Sequence, residues 1–400
     1  MNIHDSCKLS KHILILNRWG EGWYGLKNYD DFICHHNNHV SYIVNSNGLS
    51  GIPSASICSN IHIVDDIDDE EKVLIAAENI DRLRKVDLVI SLSEWDVVNS
   101  GSIRDCLNVY GISRRESLYF RDKVLMKDKA SSLGLNPPTY KVCSTHEDIL
   151  TFFESNHEPV VIKPKDGASS TGVKIVKSKD EIFDYPIECK SDNLQVERYI
   201  EGDIYHIDGL LFDGEMIYCK SFRYVNTCLD FINGSAFGSI GIPNNTKFSN
   251  ELNNYAKSCC RGFEYYNGPF HLEVIVKGGE IYFLEIACRI GGGPVPELLT
   301  YWTGKDPIEL YMKSLTSKVA PLLDEFDDIV SGFFMIPKRD DRCVTSLISH
   351  ELVVEEDITE NVEIDESAVY QNIKARYIML GGYDEVNKLL GRLNHIGVTK

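Results

Sequence analysis

No apolar run near eighteen residues appears in the 400-residue sequence, so it offers no segment of the length a bilayer-crossing helix needs. It also opens without the basic, apolar and small-residue succession of a signal peptide, which predicts a cytoplasmic protein. The twelve cysteines are scattered without paired metal spacing and read as free, mostly buried thiols in a reducing compartment. Positive charge is in deficit: 41 Lys and Arg against 60 Asp and Glu leave a formal net charge of -19. That argues against a nucleic-acid or anionic-membrane partner, either of which needs a concentrated basic face. No G-x-G-x-x-G follows the first apolar strand and no G-K-[ST] opens a helix, so neither a dinucleotide fingerprint nor a Walker A loop is present. Internal repeats and low-complexity segments are absent too. What remains, 43% hydrophobic and 25% charged, is ordinary for a soluble globular chain long enough for two or three subdomains.

The first hundred residues alternate short apolar strands with helical segments. HILIL after Lys11, VSYIV at Val40, IHIV at Ile61 and DLVISLS at Asp87 are the strands, with a helix-like stretch from Asp69 to Leu83. This alternation predicts a parallel, doubly wound sheet, whose ligands collect at the carboxyl ends of strands, here Asn17 to Gly25 and Ser93 to Asp96. Trp19 and Glu94 are therefore candidate substrate neighbours. The cluster CHHNNH, Cys34 to His39, reads as a polar loop, because no second ligand cluster accompanies it. Gly101 to Gly111 is expected to be a helix ending at glycine. A second helix is expected from Ser117 to Leu133, with Lys123 inside it and a linker at Asn136-Pro137-Pro138.

A helix capped by Thr145 should run to Phe153, followed by PVVIKPKDGASSTGVKIVKS, Pro159 to Ser178, as strand, polar glycine loop and strand. Lys163 ends the first apolar run, and the loop from Asp166 to Gly172 holds Gly167, Ser169, Ser170 and Thr171. Small residues let backbone N–H groups approach an anion and hydroxyls add donors, so a phosphate loop and a plain flexible hairpin loop both remain open. Residues 193–224 alternate like two antiparallel strands turning at Asp213-Gly214, and Phe248 to Phe263 has helical spacing. His271-Leu272-Glu273 matches H-x-E of zinc deaminases only superficially, since no P-C-x-x-C follows. Past Gly293, Pro296 to Leu299 and Asp306 to Leu315 look helical. GFFMIPK, KARYIMLGG and the helical DEVNKLLGRL then suggest a small α+β cap.

The most informative stretch is His271 to Gly293, HLEVIVKGGEIYFLEIACRIGGG. Two β-rich runs flank Gly278-Gly279, which predicts a hairpin. Glu273 and Glu285 oppose each other on one face only if the loop takes an odd number of residues, and a three-residue loop, Gly278-Gly279-Glu280, supplies it. Side chains alternate, so His271, Glu273, Ile275, Phe283, Glu285, Ala287 and Arg289 should share one face; Leu272, Val274, Val276, Tyr282, Leu284, Ile286 and Cys288 should share the other. Two adjacent carboxylates repel unless a cation sits between them, and the candidate is Mg²⁺, a hard ion held by one or two carboxylates. Solvated acids on an ordinary hairpin are the alternative.

Lys123 in FRDKVLMK, Lys163 in VVIKPKDGASSTGV, Glu197 in QVERYIEG, Glu273 in HLEV and Glu285 in FLEIACRIGG, in that order over about residues 85 to 315, resemble the ATP-grasp superfamily. FRDKVLMKDKASSLGLNPP and LEIACRIGGGPVPEL are most similar to its carboxylate–amine ligase branch, the L-amino acid ligases, and more distantly to biotin carboxylase. The resemblance implies a mixed α/β and α+β fold. Its parts would be an N-terminal Rossmann-like sheet (residues 1–115), a small ATP-grasp subdomain with the glycine loop (116–195), a large subdomain with the metal site (196–318) and a C-terminal cap (319–400). It implies ATP held by Lys123, Lys163, Lys165 and the loop residues Ser169, Ser170, Thr171 and Gly172. The strand linker Glu197, Arg198, Tyr199 and Ile200 would take adenine, with Asp203 near the ribose. Mg²⁺, or Mn²⁺ in its place, would sit on Glu273 and Glu285. Arg289, with Lys163 the expected catalytic residue, would steady the acid or its acyl phosphate, and Gly291, Gly292 and Gly293 would admit the substrate. Two departures stand out: Ala287 occupies a position where the family often has asparagine, and Ile204 follows Asp203 where an acidic residue commonly meets ribose. The implied activity is ATP-dependent amide formation between a small acid and an amine. The alternatives are amino-acid loading onto an acyl carrier protein, a nucleotide-binding regulator without turnover, and, less favoured, a biotin-dependent carboxylase. Family analogy also suggests a homodimer.

Overall fold

The computed structural model describes residues 10–22, 27–157, 159–187, 193–244, 246–317, 323, 329–340, 344, 349–359 and 372–395. The chain forms two compact units, Met1–Arg121 with Ile308–Pro321, and Asp122–Pro307 with Leu322–Lys400.

In the first unit, β1 (His12–Asn17), β2 (His39–Val44), β3 (Asn60–Ile63) and β4 (Leu88–Ser91) form a parallel sheet in the order β3-β2-β1-β4. β1 is buried at every position, as a central strand covered on both faces must be. The helix Glu70–Leu83 begins where the Asp69 side chain accepts from the Glu71 and Lys72 amides, and it buries Val73, Ala76, Ala77 and Ile80 in the core. The helix expected to end at Gly111 instead runs Val97–Leu107. Asn108 takes the left-handed conformation (φ 54°) and closes it early, a role asparagine fills almost as readily as glycine. Part of the loop that carries Asn17 to Gly25 lies outside the described residues.

The single helix expected over Ser117 to Leu133 is two. Arg114–Leu118 ends, and Lys123–Ser132 starts afresh because the Asp122 carboxylate caps the Val124 and Leu125 amides. Lys123 is thus the first residue of a helix rather than an interior one.

The second unit holds two antiparallel sheets. The smaller comprises β5 (Tyr140–Cys143), β6 (Val160–Pro164), β7 (Lys174–Val176) and β8 (Leu194–Arg198), in the order β5-β8-β6-β7. Its core of Ile149, Phe152, Val160, Ile162, Val176 and Val196 is closed by the helix His146–Asn156, which Thr145 and Asp148 cap reciprocally. The larger comprises β9 (Asp203–Phe212), β10 (Glu215–Val225), β11 (Phe237–Gly241), β12 (Gly268–Lys277), β13 (Glu280–Ala287), β14 (Val330–Pro337), β15 (Val353–Ile358) and β16 (Ile373–Gly381). Their order, β13-β12-β9-β10-β11-β14-β16-β15, makes the C-terminal α+β segment a continuation of this sheet. β9 and β10 turn at Asp213-Gly214, both with positive φ, as expected for an Asp-Gly hairpin.

The β12–β13 hairpin pairs Glu273 with Glu285, but by a different device from the one expected. Lys277 pairs with Glu280, so the turn has two residues, and positive φ at both Gly278 and Gly279 suits a type I′ turn. The odd residue is a bulge at Leu284, between Glu285 (opposite Glu273) and Phe283 (opposite Val274). Faces beyond the bulge are therefore exchanged relative to the expected ones. Phe283 is fully buried and stacks on Phe263, while Leu284 turns to the carboxylate side.

Candidate active site

Within the second unit a pocket of about 300 Å³ opens between the small sheet and β9–β13, in the size range of small-molecule sites. One end is apolar, walled by Val161, Val173, Ile175, Ile204 and Leu284, with the strand end Glu197 to Ile200 beside it. The middle is cationic. Lys123, fixed by the Asp122 cap, donates through its backbone amide to the Lys165 carbonyl (2.8 Å) and through Nζ to the Gly167 carbonyl (2.5 Å). Its Nζ also lies 3.5 Å from Glu285 Oε2. Lys163, at the end of β6, is buried with Nζ 2.8 Å from Glu197 Oε1. Burial draws its pKa down to about 8 although Glu285 and Glu273 favour the charged form.

Lys127 was missed by sequence reasoning. Fully buried, it ion-pairs with the other oxygen of Glu197 and lies 5.6 Å from the Tyr140 ring centroid. The signal was present, because Lys127 follows Lys123 by four residues on one helix face. Glu197 thus spends its side chain on two lysines, which leaves its backbone to the pocket.

The glycine loop covers this region with Gly167, Ala168, Ser169, Ser170 and Thr171. Ser169 and Ser170 both hold left-handed φ (54° and 55°), and successive amides in such a turn point into a concavity that suits an anion. Four expected site residues stand outside the walls. Lys165 contributes a backbone carbonyl to Lys123. The Gly172 carbonyl accepts from the Tyr185 hydroxyl. Asp203 is exposed at the start of β9, where strand alternation points it away from the pocket that Ile204 lines. Gly291 is buried against Asp208 and His271.

At the acidic end, Glu273 accepts from the Tyr224 hydroxyl (2.7 Å) and faces His271 Nε2 at 3.4 Å. Burial pushes its carboxyl up, but these donors outweigh burial and hold it below the usual carboxylate range. The Glu285 side chain keeps a third of its surface accessible. Two carboxylates opposite each other, one fixed and one open, fit a hard divalent cation with positions left for phosphate oxygens. Arg289, Gly292 and Gly293 line the same end, and Arg289 Nη1 donates to the Ile290 carbonyl (2.9 Å). Ala287 pairs with His271 and adds no polar group.

In the first unit, Arg18 joins the loops after β1 and β4. Its guanidinium holds Asp96 (2.6 Å) and Asp68 (2.7 Å), and burial pushes the Asp96 carboxyl up to about 6. Glu94 pairs with Arg121 (2.5 Å), whose guanidinium covers the Trp95 ring.

Two lysines, a small-residue loop and paired carboxylates thus meet in one pocket, groups of the kinds that can hold a polyphosphate and a hard metal ion. Residues 120–293 match the ATP-grasp domain family. The chain is 28% identical over 271 residues to an L-arginine-specific L-amino acid ligase of Bacillus subtilis, a match covering 65% of this chain and 64% of the ligase. The chain therefore spans just under two thirds of that relative's length. The crystal structure of an L-amino acid ligase from Bacillus licheniformis superposes with TM-score 0.72 at 16% identity, over 96% of this chain and 97% of the other. The biotin carboxylase domain of a 2-oxoglutarate carboxylase from Hydrogenobacter thermophilus, solved with MgADP and bicarbonate, superposes with TM-score 0.63 at 13% identity over 96% and 90%. No helix among the described residues is long and apolar enough to cross a membrane.

Proposed function

We propose that the chain is an ATP-dependent carboxylate–amine ligase that joins small amino-acid-like substrates through an acyl phosphate, releasing ADP and phosphate. The observation that carries this reading is the convergence of Lys123, Lys163, Glu273, Glu285 and Arg289 on one pocket beneath a loop of small and hydroxyl residues. The likeness to an L-amino acid ligase supports the substrate class.

A carboxylate attacks a polyanionic phosphate only when negative charge is neutralised and the atoms are aligned. Lys123 and Lys163 supply positive charge to the ATP phosphates, and the 166–173 loop adds backbone donors over them. The adenine lies in the apolar end against backbone groups of Glu197 to Ile200. Glu273 and Glu285 would hold Mg²⁺, or Mn²⁺ in its place, which when bound neutralises phosphate charge; MgADP in the biotin carboxylase domain supports this assignment. Arg289 orients the acid. An acid oxygen bonds to the γ-phosphorus as the bridging P–O bond breaks and ADP leaves. The amine then attacks the acyl carbon, the C–O bond to phosphate breaks, and the amine gives up a proton. Closure of the loop excludes water that would otherwise hydrolyse the intermediate.

The test is ATP consumption against pools of amino acids, with ADP and AMP both quantified and Glu285→Ala as control. Amino-acid-dependent ADP and phosphate, lost in the variant, is the expected result. AMP and pyrophosphate would mean adenylation and overturn it.

A further inference from the structure

A largely buried chain of polar groups, which the reaction above does not use, runs from the neighbouring strands to Glu273 on the acidic hairpin. Asp208 on β9 accepts from His206 Nδ1 (2.6 Å) on one oxygen and from His271 Nδ1 (2.8 Å) on the other. His271 presents Nε2 to Glu273 Oε1 at 3.4 Å, and His206 Nε2 accepts from the Ser239 hydroxyl (2.7 Å). All but Ser239 belong to two neighbouring strands in direct register, His271 opposite Asp208 and Glu273 opposite His206. The His206 ring is clamped between Phe222 and Tyr224, each 4.6 Å away between centroids. His206, Asp208 and His271 are the one set of three or more His, Cys, Asp or Glu among the described residues whose ligand atoms converge as a metal site would need. Both Nδ1 atoms are already spent on Asp208 and the second His206 nitrogen on Ser239, so the set is a hydrogen-bond chain rather than a metal centre.

The Asp208–His271 pair also meets the backbone of the Gly291–Gly293 segment. A Cβ on Gly291 would stand 2.6 Å from Asp208 Oδ1 and 3.0 Å from His271 Nδ1, so the backbone at Gly291 rests directly on this pair. Asp208 is therefore fixed from two histidines and against a backbone, and it fixes His271, which in turn meets Glu273.

We propose that Asp208 and His271 are positioning residues that lock the Glu273 carboxylate and the Gly291–Gly293 backbone into one shared geometry, so that a displacement at either is transmitted to the other. This rests on the reading of Glu273 as a metal carboxylate. Outer partners of metal ligands commonly contribute ten- to hundred-fold to metal affinity, about the size expected here.

The experiment measures Mn²⁺ binding to the full chain with saturating ADP, by the loss of the free-ion electron paramagnetic resonance signal, beside ADP binding without metal. Asp208→Asn, which cannot accept from both imidazoles, should weaken Mn²⁺ about ten-fold while metal-free ADP binding stays as in the wild type. Gly291→Ala, at a position that is not a ligand, should weaken Mn²⁺ several-fold by pressing on Asp208. His206→Gln, which removes one restraint on Asp208, should do so about three-fold and serves if Asp208→Asn does not fold. Unchanged Mn²⁺ affinity in Gly291→Ala and in either Asp208→Asn or His206→Gln would overturn the positioning role. Parallel loss of metal-free ADP binding would also overturn it, by showing collapse of the pocket. No Mn²⁺ binding by the wild type would instead overturn the metal reading itself.

Discussion

Two buried charge networks flank the pocket, and they are built in opposite ways. On one side Lys127 and Lys163 share the Glu197 carboxylate and Lys123 has Glu285 at 3.5 Å, three lysines to two carboxylates, so the lysines outnumber their partners. On the other, Asp208 and Glu273 are matched by His271 and His206, hydrogen bond by hydrogen bond. On the proposed reading the first network keeps charge in reserve for an anion, and the second spends its groups on fixing the direction of one carboxylate. Buried charge that is incompletely paired marks the side where a ligand completes the set, whereas complete pairing marks a scaffold.

The comparison breaks most severely at the reserve cations. Lys163→Ala should lower amino-acid-dependent ADP release by about a hundred-fold or more, measured at saturating ATP, since it removes charge that stabilises phosphoryl transfer. A loss confined to the Michaelis constant for ATP would show that Lys163 serves ground-state binding alone. Lys127→Met should act on folding, because it strips Glu197 of one buried partner. A loss of about 3 kcal/mol is expected, the lower end of the range for breaking a buried pair because Lys163 remains, and urea unfolding would measure it. On the scaffold side, Tyr224→Phe removes one charge-assisted hydrogen bond to Glu273 and should raise the Mg²⁺ concentration for half-maximal turnover about ten-fold. The smallest effect is pH dependence. In the proposed role Lys163 would bind phosphate as a cation, and burial draws its pKa down to about 8 in the free site. ATP affinity should thus be flat below that pH and fall above it, by at most about ten-fold per pH unit. Affinity that rises with pH, read by ATP titration, would contradict the assignment.

The same contrast explains what was legible in the sequence. Lys163 and the loop after it form a contiguous stretch, and Lys123 with Lys127 repeats at helical spacing, so the cationic side is largely written in local order. The fixing partners of Glu273 are only partly so: His271 precedes it by two residues on the same face, but Tyr224 comes from β10 and reaches Glu273 only through the fold. His206 and Asp208 share one face of β9 by alternation, yet nothing local says that β12 lies beside them. The hairpin shows a different limit. Parity demanded an odd residue between Glu273 and Glu285, and the chain puts it at Leu284 instead of in the turn. Counting fixes how many residues are unpaired but not where, because the choice depends on which of Phe283 and Leu284 packs against Phe263 in the core. The break between Leu118 and Lys123 follows from the Asp122 cap, a signal that was readable but outweighed by periodicity.

The central claim is that the acid is activated by phosphorylation, and isotope transfer tests it directly. With an acid that supports turnover, labelled with ¹⁸O in its carboxylate, one ¹⁸O should appear in the released phosphate for each amide formed. Label recovered in AMP, or phosphate free of label while amide accumulates, would contradict the acyl-phosphate route.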